Sequence, residues 1–171
     1  MIKISISEFA KIAGGEISGL NPDDVLDLYA VINSKDSNKS NFFAAFKGES
    51  VDGHDFVKEA IENGSPFALV DRQVDYPHIL VDNVLESLTK LAKFNRAHLS
   101  NLKVIGITGS QGKTTTKDFL AHLLKVLGNT VAPIASLNNE LGVPLLLLQC
   151  NETSKYCIVE MGARHKGDIA H

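Results

Sequence analysis

Hydrophobic and polar positions in the first hundred residues follow helical spacing in some segments and form short apolar runs in others. Helical spacing predicts a helix that begins after Ser5 and a second over 85–98. Short apolar runs predict strands at 42–46, 67–70 and 79–81. Because helices and strands alternate, this half is predicted to be a small α/β domain rather than an all-helical or all-β one.

The second part of the chain has the pattern of a parallel sheet with helices between its strands. An apolar run at 104–107 predicts a buried strand, and a helix with an apolar face, from Phe119 to Leu127, follows a glycine-rich loop. The continuously apolar segment 156–159 predicts a strand covered on both faces. This pattern is short, so we expect only the first part of a larger sheet domain.

The polar stretch at 96–103 separates the two patterns. It predicts one domain over residues 1–100 and the start of another over 101–171.

Composition and charge narrow the class of protein. The 171 residues are 44% apolar and 22% charged, as in an ordinary soluble globular chain. A net charge of −3 without a basic cluster argues against a nucleic acid partner. The longest apolar run, 143–148, is too short to span a bilayer, and the first residues lack a signal-peptide core. We expect a cytoplasmic protein in which Cys150 and Cys157 are buried thiols.

The segment Thr-Gly-Ser-Gln-Gly-Lys-Thr-Thr-Thr, residues 108–116, has the chemistry of a phosphate-binding loop. Its glycines allow backbone N–H groups to converge on phosphate oxygens, and a helix N-terminus favours the anion. Lys113 would supply a movable positive charge, and the Thr114 hydroxyl could bind Mg²⁺. Of the two threonines that follow, either could contact phosphate. The general P-loop pattern would have glycine at Ile107, so an ordinary strand-to-helix turn remains the alternative.

Three other groups of polar residues are candidates for ligand contacts. Glu160 ends a strand, where open α/β sheets bind ligands, and Mg²⁺ would offset the cost of burying its carboxylate. A salt-bridged or solvent-facing glutamate is the alternative. The pair Asn138–Asn139 and the triplet Asp52-Gly53-His54 each precede a helical segment. For the asparagines, a turn-and-cap role competes with a ligand contact; for the triplet, a turn-and-cap role competes with an acid/base pair of Asp52 and His54.

Four separate segments of the chain resemble one family. Residues 108–116 resemble the ATP loop of the Mur ligases and their folylpolyglutamate synthetase relatives, which use a shorter glycine spacing without a glycine at the position of Ile107. Segments 136–144 and 159–170 are similar to the same ligases, and so is the upstream stretch 42–56. The resemblance implies a small N-terminal α/β domain followed by the first part of a P-loop parallel-sheet ATPase domain, cut short.

The resemblance also implies an ATP- and Mg²⁺-dependent amide ligase of peptidoglycan precursor synthesis. ATP would phosphorylate the terminal carboxylate of UDP-N-acetylmuramoyl-tripeptide, and the amine of D-Ala-D-Ala would then displace phosphate. Another ligase of this family, or a binding fragment without turnover, remains an alternative. We expect a monomer that binds small molecules, has no nucleic acid or membrane partner, and forms no amide bond as this chain alone.

The resemblance assigns roles to individual residues. Lys113 and Glu160 are the catalytic candidates, and Thr114 and Glu160 would hold Mg²⁺. The nucleotide-binding candidates are Thr108, Gly109, Ser110, Gln111, Gly112, Lys113, Thr114 and Thr115. The substrate-binding candidates are Ser34, Gly48, Asp52, Gly53, His54, Asn138 and Asn139. Where the family has Asp-Ser-Arg near the uracil site, this chain has Asn33-Ser34-Lys35, so a negative charge and a planar guanidinium are lost.

Overall fold

The computed structural model describes residues 1–48, 51–133 and 141–162. Its helices are α1 (Ile6–Ala13), α2 (Val57–Glu62), α3 (Val84–His98), α4 (Lys113–Leu127) and α5 (Gly142–Gln149). Its strands are β1 (Ile4–Ser5), β2 (Glu16–Ser18), β3 (Val25–Leu26), β4 (Tyr29–Val31), β5 (Asn41–Ala44), β6 (Ala68–Val70), β7 (His78–Leu80), β8 (Lys103–Ile107), β9 (Thr130–Val131) and β10 (Tyr156–Glu160). Two 3₁₀ helices, Ser34–Asp36 and Gly53–Phe56, precede β5 and α2. In the described part of the chain, no helix has both the length and the hydropathy needed to cross a bilayer.

The first sheet has five strands in the order β2-β7-β6-β5-β4. Strands β4 to β7 pair in parallel, with Ala30 opposite Phe42 and Leu69 opposite Ile79. Strand β2 pairs antiparallel with β7 at the edge. The α/β class predicted from alternating helices and strands is therefore confirmed.

The second sheet is parallel and has the order β8-β10-β9. As predicted, β10 is covered on both faces, and Cys157, Ile158 and Val159 are buried. The prediction that β8 is buried is wrong, because β8 lies at the edge of this sheet and Val104 is exposed. Its apolar composition alone did not show that it has a single neighbouring strand.

Helix α4 buries a different face from the one marked by its apolar residues. Phe119, Leu123 and Leu127 are exposed, and Val126 is 82% exposed. The buried positions of α4 are Lys117 and Ala121. In the described part of the chain, the narrow second sheet therefore covers one side of α4, and the apolar side lies on the surface.

The hydrophobic core joins the two parts of the chain. Three buried aromatic rings form its centre, with Phe9 edge-on to Phe42 at 5.1 Å and to Phe67 at 5.4 Å. The same cluster of buried residues extends to Leu148 in α5 and Val159 in β10. The two sheets are therefore connected by continuous apolar packing rather than by a polar linker alone.

The two cysteines belong to this core, as the sequence predicted. Cys150 and Cys157 are free and buried. The neighbouring Cys150 thiol, together with burial, raises the pKa of Cys157.

A buried asparagine, Asn95 in α3, ties the start of the chain to α5. Its Oδ1 accepts a hydrogen bond of 2.8 Å from the Ile2 backbone N–H. Its Nδ2 donates to the carbonyl oxygens of Leu147, at 2.8 Å, and Cys150, at 3.0 Å. One side chain thus hydrogen-bonds three backbone groups that are distant from it in sequence, and it is the side-chain partner of the buried Ile2 N–H and the Cys150 carbonyl.

We expect Asn95→Ala to lower the free energy of unfolding by about 2 kcal/mol, because three hydrogen bonds to backbone groups in and around the core are lost. Urea unfolding followed by circular dichroism would measure this change. Asn129→Ala is the control, because the Asn129 side chain is exposed and bonds only to the Thr153 hydroxyl. Equal effects of the two substitutions would contradict the role assigned to Asn95.

Candidate functional site

The loop at 108–112 connects the carboxyl end of β8 to the N-terminus of α4. Gly112 is the last residue before the helix and has a φ of 76°, a left-handed conformation that favours glycine. Its carbonyl accepts the hydrogen bond from Thr116 N that begins the helical ladder. A helix of 15 residues therefore directs its N-terminus, with its free N–H groups, towards the carboxyl edge of the sheet.

Lys113 is the first residue of α4, and its side chain folds back over the loop. Its Nζ donates a hydrogen bond of 2.7 Å to the carbonyl oxygen of Gly109. Among the described residues it forms no ion pair, so a neutral carbonyl is the partner of its charge. The ammonium is therefore available to an anion that binds in the loop.

Thr114 and Glu160 meet across the site although they are 46 residues apart in sequence. Thr114 Oγ1 lies 3.3 Å from Glu160 Oε2 and 3.5 Å from Oε1, which makes a long hydrogen bond. Glu160 is only 2% exposed, and in the described part of the chain it has no cationic partner. A buried carboxylate with one weak donor lacks the compensation that such a charge requires.

The Thr114–Glu160 pair fits a magnesium ion. Adjacent oxygen ligands of octahedral Mg²⁺, each about 2.1 Å from the metal, lie about 3 Å apart. The separation of 3.3 Å between Oγ1 and Oε2 is close to this value. The described residues contain no cluster of three or more acidic, histidine or cysteine side chains suited to a metal. A magnesium ion held by this pair would therefore complete its shell with water and phosphate, as Mg²⁺ commonly does.

Ser34 lies in the first 3₁₀ helix and is held by α2. Its hydroxyl donates a hydrogen bond of 2.6 Å to Glu59 Oε2, and its carbonyl accepts one of 2.9 Å from Asn63 Nδ2. Asn33 caps the same turn by accepting from the Lys35 backbone N–H. The turn is thus held by the Asn33 cap and by the hydrogen bonds to α2 and Asn63. The Ser34 hydroxyl oxygen retains the capacity to accept a further hydrogen bond.

Asp52 and His54 form a polar lock at the second 3₁₀ helix, in which His54 is buried and Asp52 is partly exposed. His54 Nδ1 lies 2.7 Å from Asp52 Oδ1, and His54 Nε2 lies 3.1 Å from Asp71 Oδ1. The His54 side chain is 2% exposed. Because both ring nitrogens already have partners, the geometry favours the turn-and-cap role over a ligand contact for His54.

The two glycines of the substrate set occupy tight backbone positions next to this lock. A Cβ on Gly53 would lie 2.6 Å from Phe46 N, so a side chain would force the backbones apart. Gly48 N donates a hydrogen bond of 2.9 Å to the Val51 carbonyl oxygen, next to Asp52.

Hydrogen bonds lower the pKa of the Asp52 carboxyl to about 2. The main donors are the backbone N–H and the ring of His54, and the Arg72 guanidinium, 2.8 Å from Oδ2, adds a favourable charge. A pKa below that of the unfolded chain means that the ionised form stabilises the fold.

This lock is expected to weaken in acid. The contribution of Asp52 is complete above its unfolded pKa of about 4 and is lost as the pH falls through the folded value near 2. Unfolding of the unsubstituted chain and of Asp52→Asn should therefore differ at pH 6 and converge towards pH 2. Asp23→Asn, at an exposed turn position, is the control. A difference that stays constant between pH 6 and pH 2 would contradict this assignment.

The structure brings some of the sequence-predicted residues together and leaves others apart. The loop, Lys113, Thr114 and Glu160 share the carboxyl edge of the second sheet, whereas Ser34 and Asp52 belong to the first sheet's loops. Asn138 and Asn139 lie outside the described residues. Sequence reasoning missed the contacts of Lys117 and Asn95. For Lys117 the available signal was its position, one helical turn after Lys113.

Comparisons with known proteins agree with this geometry. The family model "Mur ligase family, catalytic domain" matches residues 31–105, and the "Mur ligase middle domain" matches residues 107–171. A UDP-N-acetylmuramoyl-tripeptide–D-alanyl-D-alanine ligase of Mycobacterium tuberculosis strain H37Rv is 36% identical over 99% of this chain. The corresponding ligase of Escherichia coli K12 is 34% identical over 99%. The chain spans 39% and 37% of the lengths of these two relatives.

Solved structures show the same similarity. MurF from Acinetobacter baumannii superposes with a TM-score of 0.81 at 32% identity, covering 96% of this chain and 37% of that one. MurF ligase from Thermotoga maritima, solved in complex with ADP, gives a TM-score of 0.70 at 37% identity, covering 85% and 34%. The two family matches, the relatives and the superposed folds therefore show that the chain belongs to the Mur ligase family, with sequence of its N-terminal and middle domains.

Proposed function

We propose that this chain is the part of an ATP-dependent ligase that binds the nucleotide and the UDP end of the substrate. The complete reaction joins D-Ala-D-Ala to UDP-N-acetylmuramoyl-tripeptide during peptidoglycan precursor synthesis, in the cytoplasm. The observation that carries the proposal is the contact between Thr114 and the buried Glu160 beside the glycine loop and Lys113. The printed names of the relatives support the choice of substrates.

The proposed chemistry proceeds in two steps. A carboxylate oxygen of the tripeptide attacks the γ-phosphorus of ATP, and ADP leaves, which gives an acyl phosphate. The amine of D-Ala-D-Ala then attacks the acyl carbon, the amide bond forms, and inorganic phosphate leaves as the amine loses its proton. Phosphoryl transfer depends mainly on positioning and charge neutralisation, and these are the contributions that this chain's residues supply.

Each residue at the carboxyl edge of the second sheet has a proposed role. The N–H groups of residues 108–112 and of the first turn of α4 bind phosphate oxygens, and Lys113 leaves the Gly109 carbonyl to neutralise the β- and γ-phosphates. Thr114 and Glu160 would hold Mg²⁺, and the bound ion would supply positive charge beside the transferring phosphoryl group. Residues 101–171 contribute this half of the reaction centre.

The first domain, residues 1–100, is proposed to bind the UDP end of the substrate. Ser34 is its best-supported contact, because its turn is held by α2 while the hydroxyl oxygen can still accept a hydrogen bond. Asp52, Gly53 and His54 are proposed to shape the neighbouring loop rather than to touch the substrate. Asn138 and Asn139 stay proposed substrate or nucleotide contacts on the resemblance alone.

Calorimetric titration of this 171-residue chain with MgADP, MgATP and UDP-N-acetylmuramoyl-tripeptide tests the binding part of the proposal. We expect nucleotide binding that Lys113→Ala weakens about a hundredfold. Lys125→Ala, which replaces an exposed lysine near the other end of α4, should leave the affinity unchanged. Failure of millimolar MgADP to bind the unsubstituted chain would overturn the proposal.

The ligase reaction needs a separate test in the complete gene product. We expect amide formation with D-Ala-D-Ala in preference to other amino acid and dipeptide acceptors, and no amide formation by the 171-residue chain. A preference for a single amino acid as acceptor would instead favour another ligase of the family. The monomeric state, which the sequence analysis expects, is tested by sedimentation equilibrium of the same protein.

A further inference from the structure

Lys117 in α4 is a buried cation that the proposed chemistry does not use. It follows Lys113 by four residues and Thr114 by three, so the three side chains lie along one side of the helix. Its side chain is 2% exposed, and Ala121, one turn further on, is also buried. Lysine therefore occupies a buried position of α4 where an apolar residue would be expected.

Among the described residues, the buried ammonium has two partners. Lys117 Nζ donates a hydrogen bond of 3.0 Å to the carbonyl oxygen of Pro133, and it lies 3.2 Å from Asp118 Oδ1. The Asp118 side chain is 67% exposed, so water screens its share of the interaction. Pro133 is therefore the partner that holds the ammonium in the interior.

Burial of an ammonium carries a desolvation cost that one carbonyl and a screened carboxylate offset only in part. Methionine would fill a similar volume without that cost. The position of Pro133 indicates which structural contact the lysine provides.

Pro133 lies at the same edge of the sheet as the site. Strand β9 is parallel to β10, and Val131 is paired with Cys157. Pro133 lies two residues beyond Val131, on the segment that continues β9 towards the carboxyl edge of the sheet, and Glu160 ends β10 at that edge. Lys117 thus joins α4, which carries Lys113 and Thr114 at its N-terminus, to the sheet edge where Glu160 lies.

We propose that Lys117 is a positioning residue of the nucleotide site. Its ammonium fastens α4 to the chain that leaves β9, and this contact holds Thr114 at the correct distance from Glu160. Lys117 acts through these residues and does not touch the nucleotide. The proposal rests on the nucleotide-binding function proposed above.

The test compares Lys117→Met with the unsubstituted chain, with Asp118→Asn as the matched control. Three quantities are measured: the thermal unfolding midpoint, deuterium exchange of the peptide that covers residues 128–133, and the dissociation constant for MgADP. We expect Lys117→Met to keep its midpoint within about 4 °C, because methionine replaces the packing and no charge is left buried without a partner.

In the same variant, exchange at 128–133 should accelerate about tenfold and MgADP affinity should fall about tenfold, the effect of losing one hydrogen bond from a charged group. Asp118→Asn should change the exchange rate and the MgADP affinity by less than about twofold each, because the exposed Asp118 carboxylate contributes little to holding Lys117. A packing role would produce the opposite result: a lower midpoint, or loss of cooperative unfolding, with unchanged affinity and exchange. That result would overturn the proposal.

The outcomes separate this proposal from the proposed function. If MgADP binds the unsubstituted chain, Lys113→Ala weakens that binding strongly, and Lys117→Met binds as tightly as the unsubstituted chain, the positioning role is wrong and the function stands. If the unsubstituted chain does not bind MgADP, the proposed function fails and the positioning role fails with it.

Discussion

Replacing Lys113 with alanine is expected to have the largest effect on function, a loss of about 4 kcal/mol of transition-state stabilisation in the complete enzyme, or roughly a thousandfold in kcat/KM. The phosphate groups would concentrate negative charge at the loop. Among the described residues, Lys113 is the cation in contact with this loop, because its Nζ donates a hydrogen bond to the Gly109 carbonyl oxygen. Alanine removes that charge and leaves the backbone N–H groups in place. Residual nucleotide binding through the loop is therefore expected.

The 171-residue chain allows the ground-state part of this effect to be measured. We expect the dissociation constant for MgATP to rise about a hundredfold in Lys113→Ala, because charge-assisted contacts to phosphate are among the strong hydrogen bonds. Lys125→Ala removes the same charge from the same helix but does not alter the loop. The MgATP affinity of this variant should therefore change by less than about twofold. Unchanged MgATP affinity and unchanged kcat/KM in Lys113→Ala would contradict the assignment.

Glu160→Gln is expected to have the second largest effect. It should weaken Mg²⁺-dependent nucleotide binding but raise the stability of the ligand-free chain. Glutamine keeps the volume and can still accept from the Thr114 hydroxyl, but it has no charge to offer Mg²⁺. We expect the gain in nucleotide affinity that Mg²⁺ produces to fall by about 3 kcal/mol, roughly a hundredfold. Titrations with ADP, with and without Mg²⁺, measure this gain directly.

The same substitution should make the ligand-free chain more stable. Glu160 is buried and its one hydroxyl donor is 3.3 Å away, so removal of the charge relieves a desolvation cost of about 1–2 kcal/mol. Urea unfolding would detect the increase. Glu152→Gln, in the exposed turn after α5, is the control and should change neither quantity. Lower stability together with normal Mg²⁺ dependence would indicate that Glu160 is a structural residue.

The parts of the site that are local in sequence could be predicted from sequence. The strand, the glycine loop and the start of α4 follow from an apolar run, glycines that permit a left-handed turn, and a helical pattern within about 25 residues. The rule that parallel sheets place their ligands at the carboxyl edge also predicted that Glu160 would lie near the loop. The 3.3 Å contact between Thr114 and Glu160 agrees with that expectation.

Contacts that depend on which faces of two elements meet could not be predicted in the same way. His54 could be paired with Asp52 from sequence, but its second partner, Asp71, comes from the end of a neighbouring strand. Asn95 looked like one more polar position on a helix, yet it binds backbone groups at Ile2 and Leu147. Such partners are separated by tens of residues, and only the packed arrangement brings them within hydrogen-bonding distance.

The sequence by itself determined the α/β class, the glycine loop with Lys113 and Thr114, and the resemblance to the Mur ligases, because these depend on residue type and short-range spacing. The tertiary structure alone decided that β8 is an exposed edge strand, that α4 buries Lys117 and Ala121 instead of its apolar face, and that Lys117 is fastened to Pro133. The physical reason is that periodicity shows which residues share a face, whereas burial depends on whether a neighbouring element covers that face.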